Sequence, residues 1–510
     1  MAYDSEQHGS NVRRDAGVSV LLGPLRLAVS TLGTLLLLRI VLIRAGMEVV
    51  GLWSALNIMT SFILLLDVGF SQVLSREIHV DDNSDQSARN MLNKQFVGKR
   101  YWMLFWIRVL PATLVFAWLM PSIPYNHGCF AVSLVLIAWG AVFQLQWKLD
   151  ASVLSALQEN SRVQTVGMLG MILSLAVAIA GACLDMPIEG FALGSFLASG
   201  MVWWLLRRRV TSRGWTSTMP KPQMRETLKT TFRLARAGGY FYSISIGSVL
   251  REPCFRLIIA SLLGVKALGA YAIGFRASVA TRDCVAGGFQ VLYPALASLH
   301  RAGNRKDIES LQVCSMVFLI TIGSVALGCV YGFAEPILLV LLGSLPEGVV
   351  SATRILLLWN LITLFNIPFD YLLHATGHER DSATSLWVHT LAILILCPLG
   401  IFLQFDLTSL LVYWTVTSLA TQLIIFYYVQ KKLNGFWPIV KMPPVLIILL
   451  LALFYWVIVL GWVAQVHAPA GSLKQAVGLA NVLLPASMVF IGLAYAASHR
   501  LFEPFWRKSS

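Results

Sequence analysis

The sequence predicts an all-α polytopic membrane protein with about fourteen transmembrane helices, arranged as two six-helix lobes plus two extra C-terminal helices. Composition is the first observation: 57% of the 510 residues are apolar and 13% are charged, with a mean hydropathy of +0.71. A soluble globular chain has about a quarter charged residues. The second observation is a series of long apolar runs, and the third is the distribution of Lys and Arg between alternate loops. Together they exclude a single soluble core.

Each predicted span is a run of roughly 20 predominantly apolar residues, the length that crosses a bilayer as a helix. The segment before the first span is polar, and the first span is too long for the apolar core of a signal peptide. We expect the fourth and eighth spans to protrude from the membrane. The spans cover residues 18–43, 49–74, 101–121, 129–157, 163–184, 188–206, 238–262, 267–298, 310–331, 351–374, 382–403, 407–429, 443–464 and 475–498.

The basic residues fix the orientation of these spans. With the N-terminus in the cytoplasm, the cytoplasmic loops and tails hold 27 Lys and Arg, whereas the opposite loops hold 3 (Arg44, Lys266 and Lys474). This asymmetry follows the positive-inside rule and places both termini in the cytoplasm. The net charge of +14 is therefore mostly a matter of topology, and no nucleic-acid partner is needed to explain it.

A weak internal repeat divides the chain into two halves. The second span begins GLW at residue 51 and the eighth begins GAY at residue 269, and both reach a GF…QVL ending about five turns later. The two copies are six spans apart, so both halves have the same orientation, as in transporters with parallel repeats. We therefore predict an N-terminal lobe at 1–206 (helices 1–6), a basic cytoplasmic linker at 207–237, a C-terminal lobe at 238–429 (helices 7–12), and helices 13–14 with a tail at 430–510.

Motifs for enzymatic chemistry are lacking in the sequence. The seven cysteines form no CxxC pair, and no metal-ligand cluster or Walker motif is present. A membrane acyl- or glycosyltransferase would need a His or carboxylate dyad at the membrane edge, and the nearest arrangement, His79 with Asp81 and Asp82, is typical of a solvated loop. We therefore predict a transporter without a cofactor, with proton or sodium coupling left open.

Four short motifs resemble a known family. The second span, with its GLWS start and its LLDVGFSQVLSREI end, resembles the second helix of polysaccharide flippases. The motifs LLGVKALGAY, YPALASL and LLHATGHER are similar to later segments of the same proteins. These flippases belong to the multidrug/oligosaccharidyl-lipid/polysaccharide exporter (MOP) superfamily. The fourteen-helix layout favours its O-antigen (Wzx-type) or exopolysaccharide branch over the twelve-helix multidrug exporters.

The resemblance implies a function and a location. It implies a V-shaped pair of lobes around a central cavity, alternating access, and an undecaprenyl-pyrophosphate-linked oligosaccharide as substrate. It also implies the bacterial inner membrane and contact with membrane lipid. The sequence leaves the oligomeric state open, and we assume a monomer that works beside a polysaccharide polymerase or glycosyltransferases. An ion-coupled multidrug-type exporter, a lipid II flippase and an assembly factor without transport activity are the alternatives. The arginine- and glycine-rich first helix of lipid II flippases is not evident, and the excess of membrane cations speaks against an exporter of cationic drugs.

Charges inside the spans give the candidate site. Nine cations lie within spans and outnumber the acids there, and such charges usually face a bundle interior or a water-filled path. We predict that six arginines bind substrate and that four acids serve ion pairing or coupling, with no metal ligand among them. The substrate-binding set is Arg251, Arg256, Arg276, Arg282, Arg26 and Arg39, and the acidic set is Glu252, Asp67, Asp283 and Asp370.

Helical spacing gives these charges partners. Glu252 and Arg256 are four residues apart and can pair, whereas Arg251 points away and would be left as a free cation for a ligand. Pro253 removes a backbone hydrogen bond and should kink the helix. In the eighth span, Arg276 and Asp283 are seven residues apart and share a face, whereas Arg282 points elsewhere.

A structural role is the alternative for each charge. Arg39, Arg108, Arg354 and Arg26 can extend to the membrane surface along their aliphatic stems, although the length of its helix places Arg26 nearer the cavity. Asp67 can pair with an arginine instead of coupling an ion. Two further charges, Lys148 and Asp150, are expected to lie in cytoplasmic water.

Overall fold

The described part of the chain is helical and contains no strand. The computed structural model describes residues 2–64, 127–156, 159–212, 239–287 and 302–432, with isolated residues between 289 and 300 and between 451 and 491. This confirms the all-α prediction. The helices are α1 (Ala2–Leu64), α2 (His127–Ala156), α3 (Asn160–Cys183), α4 (Pro187–Ser212), α5 (Gly239–Ala286), α6 (Arg305–Gly332), α7 (Ala334–Leu342), α8 (Val349–Ala375), α9 (Glu379–Phe402) and α10 (Leu407–Lys432).

Eleven of the predicted spans correspond to these helices. The first two spans together form α1, the seventh and eighth together form α5, and seven others each correspond to one helix. The third span lies outside the described residues, as do most of the thirteenth and fourteenth.

Six described segments are long and apolar enough to cross a membrane. Length and composition alone define them, and the search covered the described residues only. They are Cys129–Ser155, Asn160–Cys183, Pro187–Ser212, Leu250–Ala286, Lys306–Gly332 and Val349–Ala375. The chain is therefore a multi-pass membrane protein.

Two glycines break the long helices α1 and α5 where the sequence predicts loops. Gly46 has φ 83° and ψ −179°, and Gly264 has φ 83° and ψ 175°. This backbone region is essentially restricted to glycine. Each glycine comes five residues before the start of a repeat copy, Gly51 or Gly269. The repeat thus includes the break before each copy, and both halves form the same local structure.

Replacing Gly264 by alanine should destabilise the protein by about 1–3 kcal/mol, since the cost of a non-glycine residue in this region is of that order. No atom lies within 4 Å of the position of the added Cβ, so the whole effect comes from the backbone. Thermal unfolding of the purified variant measures it. Gly287→Ala is the matched control, because its Cβ would also meet open space and its φ lies outside the left-handed region. Equal melting temperatures for the two variants would contradict this explanation.

The described chain forms two compact units, Met1–Ser261 and Leu262–Ser510. In the first unit, α4 packs against α2 and α3, and α1 packs against α2 and α3. Small residues allow the closest approach: a Cβ on Gly181 would lie 2.4 Å from the Cα of Gly190. Packing through glycines is characteristic of membrane helices. The predicted linker at 207–237 begins inside α4, which continues to Ser212, and residues 213–237 lie outside the described part; the predicted lobe boundaries stay a prediction.

In the second unit, α8 packs against α6 and α10, and α9 packs against α10. Described residues of the thirteenth and fourteenth spans contact α6. The hydroxyls of Tyr455 and Ser487 are hydrogen-bonded at 3.1 Å. Gly328 of α6 leaves room for the Tyr455 ring, because a Cβ on Gly328 would lie only 2.6 Å from that ring. The predicted C-terminal helices are therefore attached to α6 at this point.

The helix α7 was not predicted from the sequence. Its nine residues span about 14 Å, too short to cross a bilayer. Ala334, Leu338 and Leu342 are buried along one face, and the helix ends at Gly343, which has φ 80°. The span-length criterion overlooks such a segment because it requires about 20 apolar residues.

Asp406 starts α10 outside the membrane-spanning part. Its side-chain oxygen accepts a hydrogen bond from the backbone N–H of Ser409 at 2.9 Å, the usual N-cap arrangement. Hydrogen bonds from the hydroxyl and the backbone N–H of Ser409 hold the pKa of the Asp406 carboxyl below its usual range.

Candidate functional site

The helix break at Gly264 provides a scale for the depth of the charged residues of α5. Arg256 comes 8 residues before the break and Arg251 13 residues before it, which at 1.5 Å per residue corresponds to about 12 and 20 Å. Arg276 comes 12 residues after the break, or about 18 Å. The sequence predicts that Gly264 lies in the loop between the seventh and eighth spans, at the membrane surface. With a hydrocarbon core about 30 Å thick, that prediction puts the three arginines around its middle.

Arg256 is held by an ion pair and by a second helix. Its guanidinium pairs with Glu252 one turn earlier, as the spacing predicts. Its Nη1 also lies 3.5 Å from the Ser54 hydroxyl of α1. The side chains of Arg256 and Glu252 are 15% and 25% exposed, so much of their hydration is lost and the pairing compensates for it.

Arg251 is half-buried on the same helix. The prediction that it is a free cation is wrong, because Arg251 also has an interaction partner. The five donors of a guanidinium still allow it to bind more than one group. The helix continues through the buried Pro253, and its non-helical backbone lies at Gly264.

The second part of α5 carries a different pair from the one expected. Arg282 binds the neighbouring carboxylate of Asp283, with its Nη2 at 2.7 Å and its Nε at 2.9 Å from Oδ1. The expectation that Arg282 points away from Asp283 is therefore wrong, because a long side chain can turn back to its neighbour. Both residues lie about 27–29 Å along the helix from Gly264. Arg276 is exposed and has a partner of its own.

Arg26 and Arg39 lie at different depths on α1. Arg26 is 20 residues from Gly46, or about 30 Å along the helix, and its predicted position nearer the cavity stays a prediction. Its Nη1 donates a hydrogen bond to Gln164 Oε1 on α3 at 2.9 Å, and its guanidinium lies beside Gly167. Arg39 is exposed, about 10 Å from Gly46, and also has a partner.

The remaining two predicted acids have separate surroundings. Asp67 lies outside the described residues. Asp370 comes near the end of α8 and accepts a hydrogen bond from Ser382 of α9 at 3.4 Å. Among the described residues, no three His, Cys, Asp or Glu side chains are placed to hold a metal ion.

A buried ion pair between α2 and α4 was missed by the sequence analysis. Asp150 is 3% exposed, and Arg207 Nη1 lies 3.0 Å from its Oδ1. The expectation that Asp150 lies in cytoplasmic water is therefore wrong. Arg207 had been counted as a basic residue of the cytoplasmic linker. Because the two residues are far apart in the chain, no local spacing predicts their contact.

A second ion pair lies at the same ends of the helices. Arg209 binds both carboxylate oxygens of Glu159 at 2.9 Å, and Arg162 approaches the same carboxylate at 3.6 Å. Such a bidentate pair fixes the geometry more firmly than a single bond does. Together with Asp150 and Arg207, these residues join α2, α3 and α4 of the first unit. The basic residues at this end thus have a structural role besides setting topology.

The helical fold, with six described segments long and apolar enough to cross a membrane, defines a polytopic membrane protein. A sequence profile described as "Polysaccharide biosynthesis protein" matches residues 30–300, more than half of the chain. The chain therefore belongs to the polysaccharide biosynthesis protein family. No curated protein sequence matches it.

Several solved membrane-protein structures share this fold. A lipid II flippase MurJ in an inward closed conformation has a TM-score of 0.66 and 12% identity, covering 92% of this chain and 98% of its own. An inward-facing multidrug resistance transporter of the MATE family has a TM-score of 0.61 and 13% identity, covering 83% and 99%. The Vibrio cholerae MATE transporter VcmN in its bent form has a TM-score of 0.54 and 18% identity, covering 84% and 98%. At these identities the comparison establishes the fold, and with the family match it confirms the predicted polysaccharide flippase-type member of the MOP superfamily.

Proposed function

We propose that the protein is a flippase that moves an undecaprenyl-diphosphate-linked oligosaccharide, an O-antigen or exopolysaccharide repeat unit, across the bacterial inner membrane by alternating access. The observation that carries this proposal is the set of charges at mid-membrane depth. Within about 20 Å of the break at Gly264, α5 has three arginines, Arg251, Arg256 and Arg276, and one acid, Glu252. The excess of positive charge suits an anionic substrate.

The chemistry of a diphosphate matches this excess. Its oxygens carry negative charge, and the fixed fork of the guanidinium donors binds such oxygens with two parallel hydrogen bonds. Glu252 neutralises part of the charge of Arg256, so Arg251, Glu252 and Arg256 together keep one net positive charge. Translocation needs no covalent step: the arginines screen the diphosphate while the polyprenyl tail stays in lipid. Both termini would face the cytoplasm.

The length of the chain supports a lipid flippase over a multidrug exporter. The MATE transporter is matched over 99% of its own length and leaves 17% of this chain uncovered, which is about 87 of 510 residues. The number of uncovered residues is close to the length of the segment 430–510, which holds the two additional predicted helices. A multidrug-type exporter of organic cations would also favour acids at mid-depth, where α5 has mostly arginines.

The sugar attached to the diphosphate distinguishes the remaining alternatives. A lipid II flippase would bind the same diphosphate with a different glycan, so the arginines alone favour neither substrate. Proton or sodium coupling and a partner polymerase or glycosyltransferase are part of the proposal, with the flippase itself acting as a monomer.

A transport assay with three probes tests the proposed function. The purified protein in liposomes is given undecaprenyl-diphosphate-linked N-acetylglucosamine, lipid II, or the organic cation ethidium under a pH gradient. Flipping is measured as the fraction of the sugar that an impermeant lectin or enzyme can reach. We expect the lipid-linked N-acetylglucosamine to move faster than it does in protein-free liposomes. Transport of ethidium with no movement of either lipid would contradict the proposal and indicate a multidrug-type exporter. Movement of lipid II alone would contradict it and indicate a lipid II flippase.

A further inference from the structure

A histidine of the second unit is buried among three helices. His389 of α9 is 3% exposed, and its Nε2 lies 2.7 Å from the hydroxyl of Ser418 on α10. The same hydroxyl accepts a hydrogen bond from Trp359 Nε1 of α8 at 2.9 Å. Trp414 completes the group, with its ring 6.2 Å from the imidazole. We name His389, Ser418, Trp359 and Trp414 the histidine cluster.

The histidine cluster lies near the middle of its three helices. Trp359 comes 10 residues after the start of α8 at Val349, and Ser418 comes 11 residues after the start of α10 at Leu407, or about 15 and 17 Å along the helix axes. His389 comes 13 residues before the end of α9, about 20 Å from the same side. An ionisable residue at this depth is costly and commonly marks an ion or proton path.

The hydrogen bonds of the cluster depend on the protonation of His389. The Trp359 N–H can only donate, so Ser418 Oγ accepts this bond. In the neutral tautomer whose Nε2 carries no hydrogen, His389 Nε2 accepts the hydrogen of the Ser418 hydroxyl. Both nitrogens of a protonated imidazole are donors, so uptake of a proton would force the Ser418 hydroxyl to turn. A proton on His389 would therefore change the bonds that join α8, α9 and α10.

The neighbouring helices provide few other ionisable groups near this depth. On α9, Cys397 is the one other ionisable side chain between Asp381 and Phe402, and the first charged residue of α10 is Lys431. Tyr413 and, further on, Tyr427 and Tyr428 are the phenols of α10.

On α8, Arg354 lies over the Tyr331 ring of α6 at 5.8 Å, whereas Asp370, Tyr371 and His374 come 11 or more residues after Trp359. On α5, Phe275 stacks on Trp359 at 6.0 Å, and Arg276 is the next residue. Of the ionisable side chains named here, the His389 imidazole is the one inside the contact of α8, α9 and α10, and imidazole is the side chain that serves most often as a pH-sensitive group in proteins.

We propose that His389 is a proton-binding site through which a proton gradient drives transport. The inference rests on the proposed flippase function for its transport role, but proton binding itself can be measured without a substrate. Protonation changes the contact of three helices of one unit, which is the kind of two-state element that a coupling ion must act on.

Nuclear magnetic resonance of the full-length protein with isotope-labelled histidine, in nanodiscs, measures proton binding. The resonance of His389, one of nine histidines, is assigned because it disappears in the His389→Gln variant. We expect that resonance to change from its neutral to its protonated position between pH 5 and 8. In Ser418→Ala the change should occur over a different pH range. A resonance that stays neutral throughout that range would overturn the proposal and make His389 a packing residue.

The flippase assay measures the coupling. The ratio of flipping rates with and without a pH gradient should fall to one in His389→Gln, whereas the exposed His300→Gln should keep the wild-type ratio. An unchanged ratio in His389→Gln would overturn the coupling role even if the residue binds a proton. Ser418→Ala replaces His389→Gln in this comparison if the latter fails to fold. If wild type moves no lipid, the same ratio is measured for ethidium, so failure of the proposed function leaves this test in place.

Discussion

Replacing Arg251 by glutamine should reduce flipping of the lipid-diphosphate-linked sugar about tenfold or more. One charge-assisted hydrogen bond contributes roughly 1.5–3 kcal/mol, and 1.4 kcal/mol is a factor of ten in affinity. Glutamine is also a good helix former, so it removes the positive charge with little change in helix stability. The half-buried position of Arg251 near the middle of the predicted seventh span (238–262) makes this loss larger than the loss of a cation in water. The rate of flipping in proteoliposomes measures the effect.

The control for Arg251→Gln is the same change at a surface arginine. Arg380 is exposed near the start of α9, so Arg380→Gln should leave flipping near the wild-type rate. Equal amounts of folded protein, checked by size-exclusion chromatography, separate loss of transport from loss of protein. If both variants transport equally well, the mid-membrane charge of Arg251 has no part in the substrate path.

Replacing Arg207 by alanine should lower the free energy of unfolding by about 3–5 kcal/mol, the cost of breaking a buried ion pair by removing one partner. Asp150 is 3% exposed and would keep a buried charge without its partner. The next residue, Ala151, belongs to a buried apolar core with Leu154 and Leu206. Chemical or thermal unfolding of the purified protein measures this loss. Flipping activity at low temperature should change less, because the pair joins α2 and α4 and is far in the chain from the arginines of α5.

The neighbouring Arg208 provides a control of the same residue type. Its side chain is exposed and lies over the Trp204 ring at 5.6 Å, a contact that contributes about 0.5–1 kcal/mol at exposed sites. Arg208→Ala should therefore destabilise the protein much less than Arg207→Ala. Adding Asp150→Asn to Arg207→Ala should restore part of the lost stability, because it removes the buried charge. Equal melting temperatures for the two alanine variants would show that the ion pair contributes nothing.

Local patterns predicted most of the helices because each helix must fill the bilayer with apolar residues. The predicted loops at 44–48 and 263–266 contain the breaks at Gly46 and Gly264, although both lie within otherwise continuous helices. The sequence could not predict α7, whose nine residues are too few for a span. It also placed the end of α4 too early, because the basic residues after 206 continue the helix to Ser212 and pair with acids of neighbouring helices.

Side-chain contacts were predictable where both partners belong to one helix turn. The pair of Glu252 and Arg256 follows from i,i+4 spacing. The partners of Asp150 and Arg26 belong to other helices, so their contacts depend on how the helices pack. The same holds for His389: the sequence shows one histidine in an apolar run, and its bond to Ser418 appears only when α9 and α10 are side by side.

Binding of the lipid headgroup tests the central claim most directly. The affinity of the purified protein for undecaprenyl diphosphate and for undecaprenyl phosphate is measured at fixed salt in wild type, Arg251→Gln and Arg256→Gln. We predict that wild type prefers the diphosphate and that this preference falls about tenfold or more in Arg251→Gln, by the same hydrogen-bond magnitude. Equal affinity of wild type for the two lipids, or an unchanged preference in both variants, would contradict a cationic diphosphate site in the membrane.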